Sequence, residues 1–389
     1  MSAPSRPGPD HVGLQGNAAP QHAQMTDGDA VGDGEAVADL WDLPDPLAAA
    51  GWNDAVAADL EPYLSGDRRP ARVARIEYGG CHLVTEHGRS PGVGRLGRTS
   101  ALDDDRSDTP LAVGDWVATE RDKSDDRLLA VAVGPWHRLV GRRDPSRELL
   151  EQVLASNVEA VLVVHALDRP LRPSRIERSL VIAHEGDVQP IVVATKADLD
   201  LPDAWRALQD EIPPGTPVVA VSKRDGRGFD ELEALLPRGG TTALIGESGA
   251  GKSSIVNALL GRELLATGAV RGTDAKGRHT TTARELVPLG GGTCLLDTPG
   301  TRELGLVRDT GGLDAAFVDV VELAGACRFT DCRHDREAGC AVLGAVADGR
   351  LPEARRVSYL ELRAEIEELD EKRENRERRI GEGRRPRQG

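Results

Sequence analysis

"TTALIGESGAGKSSIVNALL", Thr241 to Leu260, runs from an apolar, β-branched strand into a glycine-rich turn and on into a helix-like segment. Gly246 to Ser253 fits the pattern G-x-x-x-x-G-K-[ST], and its place between strand and helix gives the pattern meaning. In such a loop the backbone N–H groups of Gly246, Glu247, Ser248, Gly249, Ala250 and Gly251 converge on phosphate oxygens. Lys252 supplies a cation toward the β and γ phosphates, the Ser253 hydroxyl is placed to ligate Mg²⁺, and Ser254 closes the contacting stretch. A flexible strand-to-helix turn is the alternative, but an unliganded loop gains nothing from a buried lysine there.

Downstream, "CLLDTPG" (Cys294 to Gly300) ends another apolar strand on Asp297, a carboxylate placed to hold the metal through water. The Gly300 N–H is then set to contact a γ-phosphate. Between the two motifs lies "KGRHTTT" (Lys276 to Thr282), a polar loop from which Thr281 would complete the metal shell. Upstream, "PIVVATKADLDLP" (Pro190 to Pro202) carries Thr195, Lys196 and Asp198. A carboxylate at Asp198 accepts from guanine N1–H and the 2-amino group together, donors that adenine lacks, while the Lys196 stem lies against the ring. "VSKRDGRG" (Val221 to Gly228) follows the next strand and puts Ser222 where a backbone N–H reaches guanine O6.

The rest of the chain surrounds this nucleotide-binding pattern. Its 389 residues suit two or three domains, and it has neither an 18-residue apolar run nor a secretory start, so a cytoplasmic, non-membrane protein is expected. The net charge of −15 argues against a uniformly basic nucleic-acid binder, yet no Lys or Arg falls between Arg6 and Arg68, whereas eight crowd the last eighteen positions. Residues 1–46 read as a disordered acidic extension and 47–68 as a short helical lead-in. Short alternating strands separated by turns predict a small OB-type barrel over 69–140. Nearly continuous apolar strands alternating with helices predict an α/β domain over 141–310 with a parallel sheet.

"CRFTDCRHDREAGC" (Cys327 to Cys340) has the spacing C-x4-C-x-H-x5-C. Cys327, Cys332, His334 and Cys340 would fill a tetrahedral Zn²⁺ shell with no open position, so the metal is expected to be structural. Arg328, Arg333 and Arg336 interleave with these ligands and suit RNA phosphate, although solvated surface charge explains them nearly as well. The helical subdomain is expected over 311–370, with Tyr359, Leu362, Ile366 and Leu369 on one packing face. Residues 371–389 form a charged basic tail, for which a solvated helix is at least as good a reading as an RNA contact.

The motif order is base-reading segment, Ser loop, phosphate loop, Thr loop, DTPG. It resembles the circularly permuted ribosome small subunit-dependent GTPase A family (RsgA/YjeQ) from about Arg72 to Leu362. That resemblance implies an α/β fold made of a circularly permuted P-loop GTPase domain, an N-terminal OB-type β-barrel and a C-terminal zinc-binding helical subdomain. It further implies Mg²⁺-dependent hydrolysis of GTP to GDP, a monomer, and action with ribosomal RNA in late maturation of the small (30S) subunit, which stimulates a slow basal rate. Three positions depart from common GTPase patterns: Thr195 replaces Asn, Lys223 stands where a small residue is usual, and Thr301 replaces the water-positioning Gln. The resemblance assigns that last role to His279, leaving His279, Lys252 and Thr281 as the catalytic set. Two other classes stay open on the residues alone: a P-loop small-molecule kinase and a non-hydrolysing RNA-binding scaffold.

Overall fold

The computed structural model describes residues 39–77, 80–94, 111–122, 127–133, 138–144, 147–265, 284–297, 306 and 311–383. Two short helices, α1 (Pro46–Ala49) and α2 (Asp54–Leu60), lead into the strands. Asn53 caps α2 by accepting from the backbone N–H groups of Ala55 and Val56, leaving fewer orphan donors in the first turn. The expected disordered extension overreaches here. A 3-10 turn covers Asp39–Trp41, and the Trp41 side chain is wholly buried, which draws residues 39–46 into the folded body.

Strands β1 (Arg69–Glu77), β2 (Gly80–Thr85), β3 (Gly88–Gly94), β4 (Trp116–Arg121) and β5 (Leu128–Val133) follow. They pair in the order β1-β2-β3-β5-β4 with β4 returning to β1, and β3 lies parallel to β5. This is a closed five-stranded barrel of the OB type, and closure removes the edges that an open sheet of this size would expose. Its small core is Ala71, Val73, Cys81, Leu83, Val117 and Ala130. A hairpin of β6 (Arg138–Asp144) and β7 (Arg147–Ser156) then connects the barrel to the second domain.

The α/β domain runs β8 (Ala160–Ala166), α3 (Pro173–Glu185), β9 (Gln189–Thr195), α4 (Pro202–Asp210), β10 (Val218–Val221), α5 (Phe229–Leu235), β11 (Thr241–Gly246) and α6 (Lys252–Leu260). The hairpin β12 (Glu285–Gly290) and β13 (Thr293–Asp297) completes it. Strands β10, β9, β8, β11 and β13 are parallel neighbours in that order, buried on both faces as their apolar runs predict. The sheet is not purely parallel, because β12 runs antiparallel to β13. Gly290, Gly291 and Gly292 all have positive φ (108°, 58° and 79°) and turn the chain too tightly for a helical crossover. Strand β12 also pairs with β1, which makes the barrel and the α/β sheet one hydrogen-bonded surface.

Arg72 ties the junction of these parts. Its buried guanidinium donates to the carbonyls of Ala50, Gly114 (3.2 Å) and Asn157 (3.1 Å) and to Thr241 Oγ1 (2.7 Å), and it lies 5.1 Å from the centre of the Trp116 ring. A buried cation is tolerable where its donors are so fully satisfied.

Four helices follow: α7 (Gly312–Ala316), α8 (Val318–Ala324), α9 (Ala341–Ala347) and the long α10 (Glu353–Gly383). Tyr359, Leu362, Ile366 and Leu369 of α10 are all buried, so the stripe packs as its spacing predicts. Arg355 locks α10 to the α/β domain. It donates to Glu177 Oε1 of α3 (2.8 Å), to both Asp319 oxygens (2.9 and 3.0 Å) and to Ala316 O (2.7 Å), and Ser358 donates to the other Glu177 oxygen.

Candidate nucleotide and metal sites

All five parallel strands deliver their C-terminal ends to one edge of the sheet, the place where open α/β sheets bind ligands. Strand β11 ends at Gly246, where any Cβ would stand 2.5 Å from Val164 O, so glycine alone fits. The loop then curls through Gly249 and Gly251 at φ of 74° and 101° before α6 begins at Lys252. Lys252 Nζ donates to the carbonyls of Gly246 (3.0 Å) and Glu247 (3.1 Å), and burial pulls its ammonium below the usual lysine value. The cation is thus held inside the curl, where an anion would relieve its desolvation.

Ser253 Oγ lies 3.5 Å from Asp297 Oδ2 at the end of β13. Burial pushes the Asp297 carboxyl up to about 6, against the pull of Lys252 and Ser253. A hydroxyl and a buried carboxylate brought together at the mouth of a phosphate loop match the donor set of a hard divalent cation such as Mg²⁺. His279, Thr281 and Gly300 lie outside the described residues, as do residues 1–38 and 384–389.

The residues expected to read the base sit at the ends of β9 and β10. Thr195 Oγ1 donates to Ala250 O at 2.6 Å, in a buried setting. At the position where Asn is usual, the Thr195 hydroxyl thus reaches the phosphate loop directly. Ser222, fully buried, donates to Asp198 Oδ1 at 3.0 Å and accepts from the N–H groups of Arg224 (3.1 Å) and Asp225 (3.4 Å). It therefore fixes the Asp198 carboxylate as well as its own loop. Lys223, the second unusual residue, turns its ammonium onto Glu263, leaving its backbone at the pocket.

Sequence reasoning missed three residues. Asp168 and Arg169, after β8, touch Lys196 and the phosphate loop, and the polar pair following "LVVHAL" is their faint signal. Asn257 faces inward from α6 and makes four hydrogen bonds of 2.8–2.9 Å, to Glu263, Leu264 and Leu265, pinning the chain where it enters the Thr-rich segment. A polar residue on the apolar face of "SIVNALL" is its only mark.

Toward the C-terminus, Cys327, Cys332, His334 and Cys340 bring their ligand atoms within 4.8 Å of one another. Cys327 Sγ lies 3.8 Å from Cys340 Sγ and 3.6 Å from His334 Nδ1, and Cys340 Sγ lies 3.5 Å from that nitrogen. With Zn–S near 2.3 Å, a tetrahedral shell has edges of about 3.8 Å, so the donor set fits one ion. The Cys332 thiol is pushed up to about 11, first by desolvation and then by its sulfur neighbours, a conflict a divalent cation would relieve. Arg356 donates to His334 O (2.7 Å) and Arg363 to Arg333 O (2.9 Å), fastening the knuckle to α10. Phe329 stays 46 % exposed beneath the Arg328 guanidinium.

Taken together, the base-reading segment precedes the phosphate loop along the chain while the strand ends meet at one edge, which defines a circularly permuted P-loop GTPase. Comparisons with known proteins agree. The RsgA GTPase family model matches residues 136–307, and a model described as 50S ribosome-binding GTPase matches 241–375. A protein of Streptomyces coelicolor named small ribosomal subunit biogenesis GTPase RsgA is 42% identical over 85% of this chain and 90% of its own length. The protein of that name from Opitutus terrae is also 42% identical, over 82% of this chain and 89% of its own. The crystal structure of YjeQ from Thermotoga maritima superposes with a TM-score of 0.54 at 26% identity, over 77% of this chain and 98% of that one. YloQ, described as a circularly permuted GTPase, shares the fold at TM-score 0.50 and 24% identity, over 77% of this chain and 96% of that one. The chain belongs to the RsgA GTPase family and is a GTP hydrolase.

Proposed function

We propose that this protein hydrolyses GTP to GDP during late maturation of the small ribosomal subunit, working as a cytoplasmic monomer that grips ribosomal RNA through its barrel and its zinc knuckle. The observation that carries the chemical half is the convergence of Lys252, Ser253 and Asp297 with Asp198 and Ser222 on one sheet edge. The partner is inferred from the relatives' names, which speak of the small subunit over most of their length; the model described as binding the 50S particle covers only residues 241–375. Among the described residues no helix is long and apolar enough to cross a membrane.

In this reading Asp198 selects guanine and Lys196 lies against the ring. The loop amides, together with Lys252, neutralise the charge that spreads over the phosphates as the bond to the γ-phosphoryl group loosens. Ser253 and Thr281, with Asp297, would hold Mg²⁺, which when bound would supply Lewis-acid chemistry at the phosphates. His279 positions the attacking water in place of the missing glutamine. One Zn²⁺ on Cys327, Cys332, His334 and Cys340 is structural, and it holds Arg328, Phe329, Arg333 and Arg336 on an outward face suited to RNA phosphate and base stacking. The kinase reading needs no guanine-selecting carboxylate, and the Asp198–Ser222 bond disfavours it. GTP turnover by the wild-type protein with and without purified small subunits, beside Lys252→Ala, tests the proposal.

A further inference from the structure

The loop after β8, residues 167–170, reaches both halves of the nucleotide site. On the base side, Asp168 Oδ2 accepts from Lys196 Nζ at 2.5 Å, and Leu167 N–H donates to Thr195 O at 3.1 Å. On the phosphate side, Arg169 Nη1 donates to Ser248 O at 2.7 Å and stands 3.5 Å from Glu247 Oε2. A Cβ added to Gly249 would come within 2.7 Å of Arg169 Nη2, so the guanidinium lies close against the loop. Glu247 is gripped from the other side by Arg175 of α3, which keeps both guanidinium groups on protein acceptors.

Lys196 needs such a guide. Its backbone is left-handed, at φ 63°, and its side chain is more than a third exposed, so the bond to Asp168 is what directs its stem among the described residues. The Ser248 carbonyl likewise belongs to a loop whose N–H groups are needed for phosphate, and a charged donor at 2.7 Å restrains it better than water.

We propose that Asp168 and Arg169 are positioning residues of the nucleotide site. Asp168 holds the Lys196 stem where the base ring lies, and Arg169 holds Ser248 and Gly249 in the phosphate-binding curl, so that one loop preassembles the two halves of the pocket. The proposal rests on the nucleotide-site reading above and adds to it a determinant of nucleotide retention.

The test is release of a fluorescent GDP analogue by stopped flow, together with KM and kcat for GTP, in Asp168→Asn, Arg169→Ala and the double variant. Both contacts are partly exposed and screened, so each single change is expected to speed release and raise KM by about fivefold, while kcat falls by less than threefold. Asp168→Glu, which keeps the charge, should return release to within threefold of wild type, as a general loss of structure would not allow. Because either change breaks the same bridge, the double variant should fall short of the product of the singles. Singles within twofold of wild type, or singles that multiply, overturn the proposal. Lys252→Ala in the same series separates the two levels: if it binds the analogue as wild type does, the nucleotide-site reading fails. If it loses binding while the Asp168 and Arg169 variants behave as wild type, only the positioning roles fall.

Discussion

Replacing Thr195 by Val exchanges a hydroxyl for a methyl of the same shape at the contact between base-reading and phosphate loops. Thr195 is 5% exposed and Ala250 1% exposed, and Oγ1 donates to the Ala250 carbonyl at 2.6 Å. Water has little access to take its place. Leaving a buried carbonyl unsatisfied costs about 1–3 kcal/mol, part of which appears as a looser loop whose amides no longer converge. Allowing about 1–2 kcal/mol of that to reach binding, the Kd for GDP should rise by about 5–30-fold. Equilibrium titration with a fluorescent GDP analogue reads it, with Thr195→Ser, which keeps the hydroxyl, expected within threefold of wild type. Thr195→Val binding GDP as tightly as wild type would refute the brace, and with it the claim that threonine replaces the usual amide here.

If Asp198 reads guanine as proposed, its exchange for Asn would remove two charge-assisted hydrogen bonds, so GTP affinity should fall by about 100-fold and xanthosine triphosphate become the better substrate, as competition assays would show. Chelation of the knuckle metal, or Cys332→Ser, should release one zinc per chain in a colorimetric assay and lower Tm, because Arg356 and Arg363 tie that knuckle to α10. Arg355→Ala strands Glu177 in a buried site and should cost about 3 kcal/mol in urea unfolding. His184 is held below the usual histidine value by burial, so the unfolded chain takes up its proton first. Its stabilising contribution is intact above pH 7 and is lost as pH falls below the unfolded value of about 6.5, and His184→Gln should flatten that part of the stability profile.

The nucleotide site was legible because its chemistry dictates residue type locally. A phosphate loop must be glycine-rich and end in Lys252, and a guanine reader needs a carboxylate at a strand end, so Gly246–Ser253, Asp198 and Asp297 stood out wherever the chain carried them. Apolar runs likewise marked β8, β9, β10, β11 and β13, and the Cys/His spacing marked the knuckle. What stayed hidden depends on partners far off in sequence. Trp41 looks like part of an acidic, unstructured leader until it is seen filling the core. Strand β12 reads as an ordinary apolar run, and only pairing with β1 and β13 gives it an antiparallel place. Asp168, Arg169 and Asn257 are single polar residues whose meaning lies in what they touch across the sheet edge. Thr195 stands out in the sequence only as a departure from the usual asparagine, and the contact of its hydroxyl with Ala250 emerges only across the fold.

The central claim is that this permuted sheet edge hydrolyses GTP and answers to the small ribosomal subunit. Steady-state release of phosphate from GTP, measured with and without purified small subunits for the wild-type chain and for Lys252→Ala, tests it most directly. A slow basal rate that rises at least tenfold with subunits and disappears in Lys252→Ala is the predicted result. Hydrolysis absent under both conditions, or unchanged in Lys252→Ala, would contradict it.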